Sequence, residues 1–521
     1  MRSTLRIAAL ATLSFGSSPV FGQSGSVTLT PADTDPKGAI DQLAKFVGQR
    51  VRIPLLTAVA PSDGSSFYGV INGLDRPFRG PGLAPNVTLP DGLCCAVRFQ
   101  GNPELLQIDS SAVSGITVSA GAVLSEVTGV LDNQNGTYRI TLDSTPGVSE
   151  APSPVALRLP DPTEFTVSSL QPTGSVDTDA AIAHNRLHDP DVLTVASNAA
   201  TLADALNALQ QDAGYQAFGD QLLVRTARLS VSDVQSIGSF TLARISALQP
   251  ATEASKLSVI VARFPQTDSS SGLDVQQARK TEAEALAKLV DDRQSRGERV
   301  IVTGDFEAYQ FGDGFVDVVG TVRGVPSPAG QVLFDSPSLV QTPLINLVDR
   351  LPAGEQYSAT AAGDAVAVDH ILASASLSSA VTGFGFARGT ADTPGDGVLS
   401  HRDQPMGYVS SLAVTNLSDA TAQVAPSAVV TLSPGSTSLT ISIVNFSRAA
   451  AKGPFHLYFP PQTGSYSIAN ALGLLNGLVL SLPSNKASLS PGESYSVTIN
   501  SVNPGTTPLT IPVKVLSGTL P

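Results

Sequence analysis

The chain has 521 residues, with 44 acidic against 31 basic side chains and a net charge of −13. This length predicts several domains rather than one. The acidic balance argues against a surface made to hold a polyanion, because phosphate groups are bound mainly by clustered Lys and Arg. The two cysteines exclude a disulfide-rich framework and a zinc ribbon. With 45 Gly, 37 Pro and only 14% charged residues, the composition indicates many short strands joined by turns.

The N-terminus has the pattern of an export signal. Arg2 and Arg6 precede the apolar run Ile7–Phe15, and small and polar residues then follow as far as Gly22. This pattern predicts a secretory signal peptide over residues 1–22 and a mature protein that is extracellular or periplasmic. No later segment has the roughly 18 uninterrupted apolar residues of a membrane span. In an exported protein, the adjacent Cys94 and Cys95 have three possible states: a vicinal disulfide, pairing between chains, or free thiols.

Residues 23–154 have the pattern of a β-rich domain. Apolar residues alternate with other residues in two stretches, which is typical of half-buried strands. The alternating residues are Val51, Ile53 and Leu55, and then Tyr138, Ile140 and Leu142. Between the two stretches runs a Pro/Gly-rich loop, Arg76–Gly82, and a linker rich in Pro and Ser, Ser144–Pro154, closes the segment.

Residues 162–414 alternate between strand and helix patterns. Helical spacing of apolar residues predicts helices over Thr201–Ala213 and Val275–Ser295, the second with Ala278, Ala285, Leu286 and Leu289 on its buried face. The β-branched run Val300–Val302 then predicts a buried strand that ends at Asp305. This pattern indicates an α/β sandwich, and we expect any chemistry to be located there.

Residues 418–521 lack helical periodicity. Two alternating stretches each follow a Leu-Ser-Pro-Gly turn, at Leu432–Gly435 and Leu489–Gly492. Short strands at this spacing predict an all-β, immunoglobulin-like sandwich.

A series of motifs in the middle segment occurs in a fixed order over about 250 residues. The motifs are Glu164–Ser169, Asp189–Leu193, Val302–Phe311, Gly312–Gly320, Leu347–Asp349, Gln356–Ser358, Gly363–Leu372 and Ser400–Tyr408. In this order they resemble the deoxyribonuclease-I-like endonuclease/exonuclease/phosphatase superfamily, and within it a branch of large secreted bacterial nuclease-like proteins. The resemblance implies a four-layer α/β sandwich and metal-dependent hydrolysis of phosphodiesters. Phe99–Glu104 and Thr128–Asp132 resemble the β-rich, OB-like domain that precedes the nuclease domain in that branch.

Such hydrolysis needs a divalent cation held by oxygen ligands, a general base for water, and donors to the phosphate oxygens. When the family pattern is carried over, Gln171 stands at the first Asn, and no Glu follows Val195. Arg263 stands at a family His, Asp305 is kept, and Glu307 replaces an Asn.

In the last motif His401 replaces an Asp, Arg402 replaces the base His, and Asp403 is kept. The remnant catalytic positions implied by the resemblance are Asp305, Glu307, Asp369, His370, His401 and Asp403. Asp305 and Glu307 are the candidate metal ligands, and Arg263 and Arg402 are the candidate phosphate-binding groups of an active enzyme.

These departures predict a catalytically inactive domain. Arg replaces both family histidines and cannot act as a base, because it keeps its proton in a protein. The absent Glu removes a principal metal ligand, and the segment Phe218–Leu222 is shorter than the family pattern. We therefore expect a pseudoenzyme that needs no cofactor and serves binding or architecture.

Three alternatives remain open in the sequence. One is a surviving Mg-, Ca- or Mn-dependent phosphodiesterase, in which Asp305 and Glu307 offer oxygens on one side of an extended chain and His401 acts as base. A second gives the conspicuous residues structural roles: Asp305 caps a turn, Asp369 and His370 orient loops, and His401 is a solvated loop residue. A third makes the C-terminal sandwich the working part, in contact with a cell surface or a glycan.

The net negative charge of this chain argues against nucleic acid as a partner. Arg279 and Lys280 are adjacent, but Glu282 and Glu284 follow at once and partly cancel their field. We predict no DNA affinity tighter than about 10⁻⁴ M at roughly 150 mM salt.

Overall fold

The computed structural model describes residues 25–85, 87, 89, 97–134, 136–210, 213–246, 257–267, 272–394, 402–411, 417–426, 430–460, 466–474, 477–483 and 488–520. The expected signal peptide, Cys94, Cys95 and His401 lie outside the described residues. Among the described helices, none combines the length and the apolar character that crossing a bilayer requires.

The first sheet has seven strands. They are β1 (Val27–Thr28), β2 (Arg50–Asp63), β3 (Ser66–Ile71), β4 (Leu106–Asp109), β5 (Val123–Gln134), β6 (Thr137–Leu142) and β7 (Gly147–Val148). Their order is β1-β2-β3-β4-β6-β5-β7, and β5 also pairs with β2, so that five of the strands close into a ring. Apolar side chains from both long strands, including Ile53, Leu56, Leu124 and Val127, fill its core.

One of the two predicted alternations is confirmed there, and the other fails part-way. Tyr138, Ile140 and Leu142 are all buried. In β2, Val51 and Ile53 are buried but Leu55 is 47% exposed. The inward face changes phase between Ile53 and Leu56, where Pro54 pairs with no residue of β5 and Glu126 has a φ of 57°. Proline cannot donate to the ladder, so the alternation is interrupted at that point.

Two six-stranded sheets form the centre of the molecule. Their strands are β8 (Glu164–Leu170), β9 (Val192–Val195), β10 (Tyr215–Phe218), β11 (Leu222–Arg225), β12 (Ser230–Ile237), β13 (Phe240–Ser246), β14 (Leu257–Arg263), β15 (Arg299–Asp305), β16 (Ile345–Asn346), β19 (Ile371–Ala373), β20 (Val381–Ala387) and β21 (Gln404–Ser410). A separate hairpin consists of β17 (Ala359–Ala361) and β18 (Asp364–Val366). The sheet orders are β10-β11-β9-β8-β21-β20 and β12-β13-β14-β15-β19-β16.

Helices in the described part of the chain cover the outer faces of these sheets. They are α1 (Val176–Asn185), α2 (Ala199–Leu209), α3 (Leu273–Ser295) and α4 (Val318–Arg323). Short 3-10 helices occur at Pro31–Asp33 and Ala44–Phe46 in the N-terminal region, and at Leu347–Arg350, Ala353–Glu355 and Ala375–Leu377 in the central region. One core lies between the two sheets, a second lies between the first sheet and α1 and α2, and a third lies between the second sheet and α3 and α4. The layers are therefore helix, sheet, sheet, helix.

Both predicted helices exist, but α2 ends earlier than predicted and α3 buries a different face. The first ends at Leu209 rather than Ala213, because the Asn207 amide bonds to both the N–H and the C=O of Tyr215 and holds the next strand against the helix. In α3, Leu286 is buried as expected, but Ala278 and Ala285 are exposed. The buried face instead includes charged residues such as Arg279, whose guanidinium donates to backbone carbonyls.

The C-terminal strands form a second all-β region. They are β22 (Leu417–Asp419), β23 (Val424–Pro426), β24 (Val430–Leu432), β25 (Ser438–Asn445), β26 (Ala451–Lys452), β27 (Phe455–Phe459), β28 (Ser467–Ile468), β29 (Leu472–Leu474), β30 (Gly477–Ser481), β31 (Ser488–Leu489), β32 (Ser494–Val502), β33 (Leu509–Ile511) and β34 (Lys514–Gly518). A five-stranded sheet, β22-β34-β27-β30-β29, and a four-stranded sheet, β23-β25-β32-β28, share one apolar core.

Candidate functional site

Three carboxylates meet at one end of the second central sheet. The buried strand β15 runs parallel to β14 and ends at Asp305, as the sequence predicts. The chain then turns at Glu307, whose φ is 43°. Asp369 lies just before β19, the next strand in the sheet. We refer to Asp305, Glu307 and Asp369 as the carboxylate site.

Both oxygens of Asp305 are occupied by side-chain amides. Gln171 Nε2 donates to Oδ1 at 2.7 Å, and Gln266 Nε2 donates to Oδ2 at 2.7 Å. Gln171 also lies 3.4 Å from Oδ1 of Asp369, and its backbone N–H donates to Gln404. An amide that donates to a carboxylate stabilises its charged form without a metal ion.

Arg402 is the cation of this site. Its Nη2 donates to Glu307 Oε1 at 2.5 Å, and its Nη1 lies 3.9 Å from Asp369 Oδ1. Burial lowers the pKa of Arg402, but the charges of Asp369 and Glu307 outweigh that effect and leave the pKa above its ordinary value. The guanidinium therefore stays charged and compensates two carboxylates at once.

Asp369 is the most deeply buried carboxylate of the three, with no exposed surface. Burial raises its pKa to about 6, although the Arg402 charge acts in the opposite direction. Within the described part of the chain, Asp369 Oδ2 and Glu307 Oε2 have no hydrogen-bond partner. The Arg402 charge thus only partly offsets the cost of burying the Asp369 carboxylate.

His370 is locked as a neutral ring. Its Nε2 lies 2.8 Å from the carbonyl of Ala308, so this nitrogen carries the proton, and Nδ1 accepts from the Asn346 amide at 3.1 Å. Burial lowers the pKa of His370 to about 4. The ring also packs edge-on against Phe306 at 5.6 Å. This arrangement fixes the loop after β15 and leaves neither ring nitrogen available as a base.

Two other residues suggested by the sequence, Asp403 and Arg263, form no hydrogen bond or ion pair with the carboxylate site in the described part of the chain. Asp403 accepts from the backbone N–H groups of Thr390 and Ala391 and from Arg388, so it holds a neighbouring turn. Arg263 is exposed at the end of β14, opposite Asp305 in register. The position of His401 is outside the described residues.

Sequence reasoning did not select Gln266 or Arg279. Gln266 follows the end of β14, and a polar residue just beyond a buried strand is a usable signal for a group at that sheet edge. Arg279 is 1% exposed and donates to the carbonyls of Pro265 and Glu307, at 2.5 and 2.9 Å. It links the segments that carry Gln266 and Glu307. A charged residue inside a helix gave no signal of this role.

A hydrolytic metal does not fit these side chains. Among the described residues, no group of three or more His, Cys, Asp or Glu is arranged to hold a metal ion. Asp305 has both oxygens committed to amides, and Glu307 is paired with Arg402. A divalent cation at this point would have to displace a bound guanidinium.

Known families and structures are similar to parts of this chain. A family model described as a domain of unknown function (DUF8508) matches residues 16–152. No curated protein matches the chain as a sequence.

Among solved structures, an AP endonuclease from Archaeoglobus fulgidus and a 3'-5' exonuclease from Neisseria meningitidis are similar, at 12% and 14% identity. A beta toxin from Staphylococcus aureus is similar at 11%. All three have TM-scores of 0.32, cover 47% of this chain and are themselves covered to 99%. The functional argument therefore rests on the side chains of the site.

Proposed function

We propose that this chain is a secreted nuclease-like protein whose central domain, of the endonuclease/exonuclease/phosphatase type, does not hydrolyse phosphodiesters. In this proposal the domain is a scaffold for binding or architecture, the N-terminal ring of strands is an OB-like domain, and the C-terminal sheets are an immunoglobulin-like sandwich. The protein is an exported bacterial pseudoenzyme and requires no cofactor.

One observation carries the proposal. Arg402 lies between Glu307 and Asp369, at the sequence position where the resemblance implies a base histidine. Arginine keeps its proton at all pH values of interest, so it cannot take a proton from water. Its charge also compensates the carboxylates that a metal ion would need.

Two further contacts support it. The amides of Gln171 and Gln266 both donate to Asp305, and an amide NH₂ offers no lone pair to a cation. His370, the described histidine of this region, donates to Ala308 and accepts from Asn346. Asp305 and His370 are therefore each engaged with other groups of the protein, which supports a domain without hydrolytic activity.

The proposal is tested by assaying the full chain on DNA, RNA and bis(p-nitrophenyl) phosphate with added magnesium, manganese or calcium. We expect no hydrolysis above that of the buffer. Asp305→Ala is the matched control, because it removes the strand-end carboxylate. Turnover that disappears in Asp305→Ala would overturn the proposal, whereas turnover that is equal in both proteins marks a contaminating nuclease.

A second test concerns nucleic-acid binding. A nuclease must hold a polyanion against its catalytic face, and affinity for DNA rises with the number of phosphates that Lys and Arg neutralise. Because Arg402 is already paired with Glu307, we expect fluorescence anisotropy to show no DNA binding tighter than about 10⁻⁴ M at roughly 150 mM salt. Micromolar binding to single-stranded or duplex DNA contradicts this expectation.

A further inference from the structure

A cleft of about 590 Å³ opens where three segments of the chain meet. One wall comes from residues 57–59 of β2, the second from residues 152–158 of the linker, and the third from residues 383–386 of β20 and the loops beside it. We call it the interdomain cleft. Its volume is within the range of about 300–1,000 Å³ that small-molecule sites occupy, and domain boundaries are a common location for such sites.

The walls of the interdomain cleft are rich in flat apolar groups. Tyr357, Phe384, Phe386 and Tyr408 line it. Phe384 and Phe386 pack edge to face at 5.2 Å. Aromatic walls bury a large apolar area at defined angles, so they favour a ligand with a flat apolar body.

Three arginines also line the cleft, and two of them make several hydrogen bonds within the protein. Arg158 donates to both oxygens of Glu164, at 2.7 and 2.9 Å. Arg388 donates to Asp403 and to the carbonyls of Tyr357 and Glu355. Both guanidiniums are therefore already paired with a carboxylate of the protein.

Arg76 differs from these two. Its Nη1 donates to Asp392 Oδ1 at 2.8 Å, and its Cζ lies 4.1 Å from the centre of the Tyr357 ring. Its Nε and Nη2 are buried and have no acceptor in the described part of the chain. Nε and Nη2 form the edge of a guanidinium that binds a carboxylate or phosphate through two parallel hydrogen bonds. Buried donors without an acceptor are costly, so an acceptor brought by a ligand would remove that cost.

We propose that the interdomain cleft binds a small aromatic or apolar acid. Its flat body packs against the rings of the cleft, and its carboxylate or phosphate group accepts from Nε and Nη2 of Arg76. The ion pair with Asp392 and the Tyr357 ring hold the guanidinium in place from the other sides. This site is separate from the carboxylate site and does not depend on whether the central domain is active.

The probe for the test is 8-anilinonaphthalene-1-sulfonate, a naphthalene that carries one anionic group. We expect saturable binding to the full chain with one site, followed by its fluorescence. Arg76→Met keeps the length and apolar part of the side chain but has no donors, and should weaken binding at least tenfold. Benzoate and phenyl phosphate are competitors that distinguish a carboxylate from a phosphate ligand, and benzamide is the uncharged control.

A second pair of variants protects the test against misfolding of Arg76→Met. Gly354 lines the cleft, and a Cβ added there would meet no atom within 4 Å, so Gly354→Trp has room to fill the space. Gly25 is equally open and does not line the cleft, which makes Gly25→Trp the matched control. Loss of probe binding in Gly354→Trp but not in Gly25→Trp supports the site. Equal binding by Gly354→Trp and Gly25→Trp, unchanged binding by a folded Arg76→Met, or equal competition by benzamide and benzoate overturns the proposal.

Discussion

The carboxylate site and the interdomain cleft both pair an arginine with a carboxylate. They differ in how many donors of the arginine lack an acceptor and in the volume of the space beside it. Arg402 is shared between Glu307 and Asp369, and the cavity between Arg402, Gln171 and Gln404 has a volume of about 10 Å³, roughly the room of one water molecule. Arg76 is paired with Asp392 on one nitrogen only and borders a cleft of about 590 Å³. Whether an arginine is a structural cation or a ligand group therefore depends on how many of its donors the protein itself satisfies.

The largest effect on stability is expected from removing Arg402, the cation that compensates the carboxylate site. Arg402→Ala removes the ion pair of Glu307 and the counter-charge nearest to the buried Asp369. Removing one partner of a largely buried pair costs about 3 kcal/mol in the free energy of unfolding. Urea unfolding followed by far-UV circular dichroism measures it.

The control for this change is Arg296→Ala, which breaks the exposed pair with Asp292 on the same central domain. An exposed i,i+4 pair contributes no more than about 0.5 kcal/mol. Equal destabilisation by the two variants would show that Arg402 is not compensating a buried charge.

The second effect is a pH dependence of the free energy of unfolding. It arises at the contact between the N-terminal ring of strands and the central domain. Asp364 is buried there and accepts from the Asn102 amide at 2.7 Å. Burial raises its pKa to about 6, although the bond from Asn102 and the charge of Arg79 lower it, while Glu104 adds to the rise. The carboxyl is protonated in both states below about pH 4, so it carries no penalty there. As the pH rises towards about 6 the penalty grows, and above that pH it is constant at about 3 kcal/mol.

The variant Asp364→Asn isolates the cost of burying the Asp364 charge, because it keeps an oxygen acceptor for Asn102 and removes the charge. Asp369 and His370 titrate in both proteins and cancel in the difference. We expect the stability of Asp364→Asn relative to the wild type to increase between pH 4 and pH 6.5 in urea unfolding. A difference that does not change with pH contradicts the assignment.

A smaller loss of stability is expected from changes to Tyr357 in the wall of the interdomain cleft. The Tyr357 ring lies against two guanidiniums, with Arg76 Cζ at 4.1 Å and Arg388 Cζ at 3.8 Å, and its hydroxyl donates to Asp392 at 2.6 Å. Tyr357→Phe removes the hydrogen bond and keeps the ring contacts, so it should cost about 1 kcal/mol. Tyr357→Leu also removes the cation–π contacts and should cost more. Thermal unfolding of both variants checks this order, and equal losses would mean that the ring contributes nothing.

The smallest effect is expected from metal ions. Only a ligand that binds the folded state raises the unfolding temperature, and Arg402 competes for the same carboxylates. Millimolar magnesium, calcium or manganese should therefore shift the wild-type unfolding temperature by less than about 1 °C. In Arg402→Ala, where the competing cation is absent, a larger shift is expected. A shift of several degrees in the wild type that Asp305→Asn abolishes would show a metal site and contradict the comparison.

Local sequence determined much of the architecture. The β-branched run before Asp305 predicted a buried strand that delivers a carboxylate to its end, and β15 is that strand. The alternation around Tyr138 and the two Leu-Ser-Pro-Gly turns likewise marked strands correctly. Periodicity succeeds in these cases because the apolar face of a strand or helix is a property of neighbouring residues.

The tertiary structure alone decided which groups meet. Gln171 and Asp305 are 134 residues apart in sequence, and Arg402 and Glu307 are 95 residues apart. The buried Arg279 and the interdomain cleft also depend on distant segments. The sign of a charge is local, but its partners and its burial are set by packing between elements. Sequence therefore identified the carboxylates, whereas only the fold decided that an arginine compensates them.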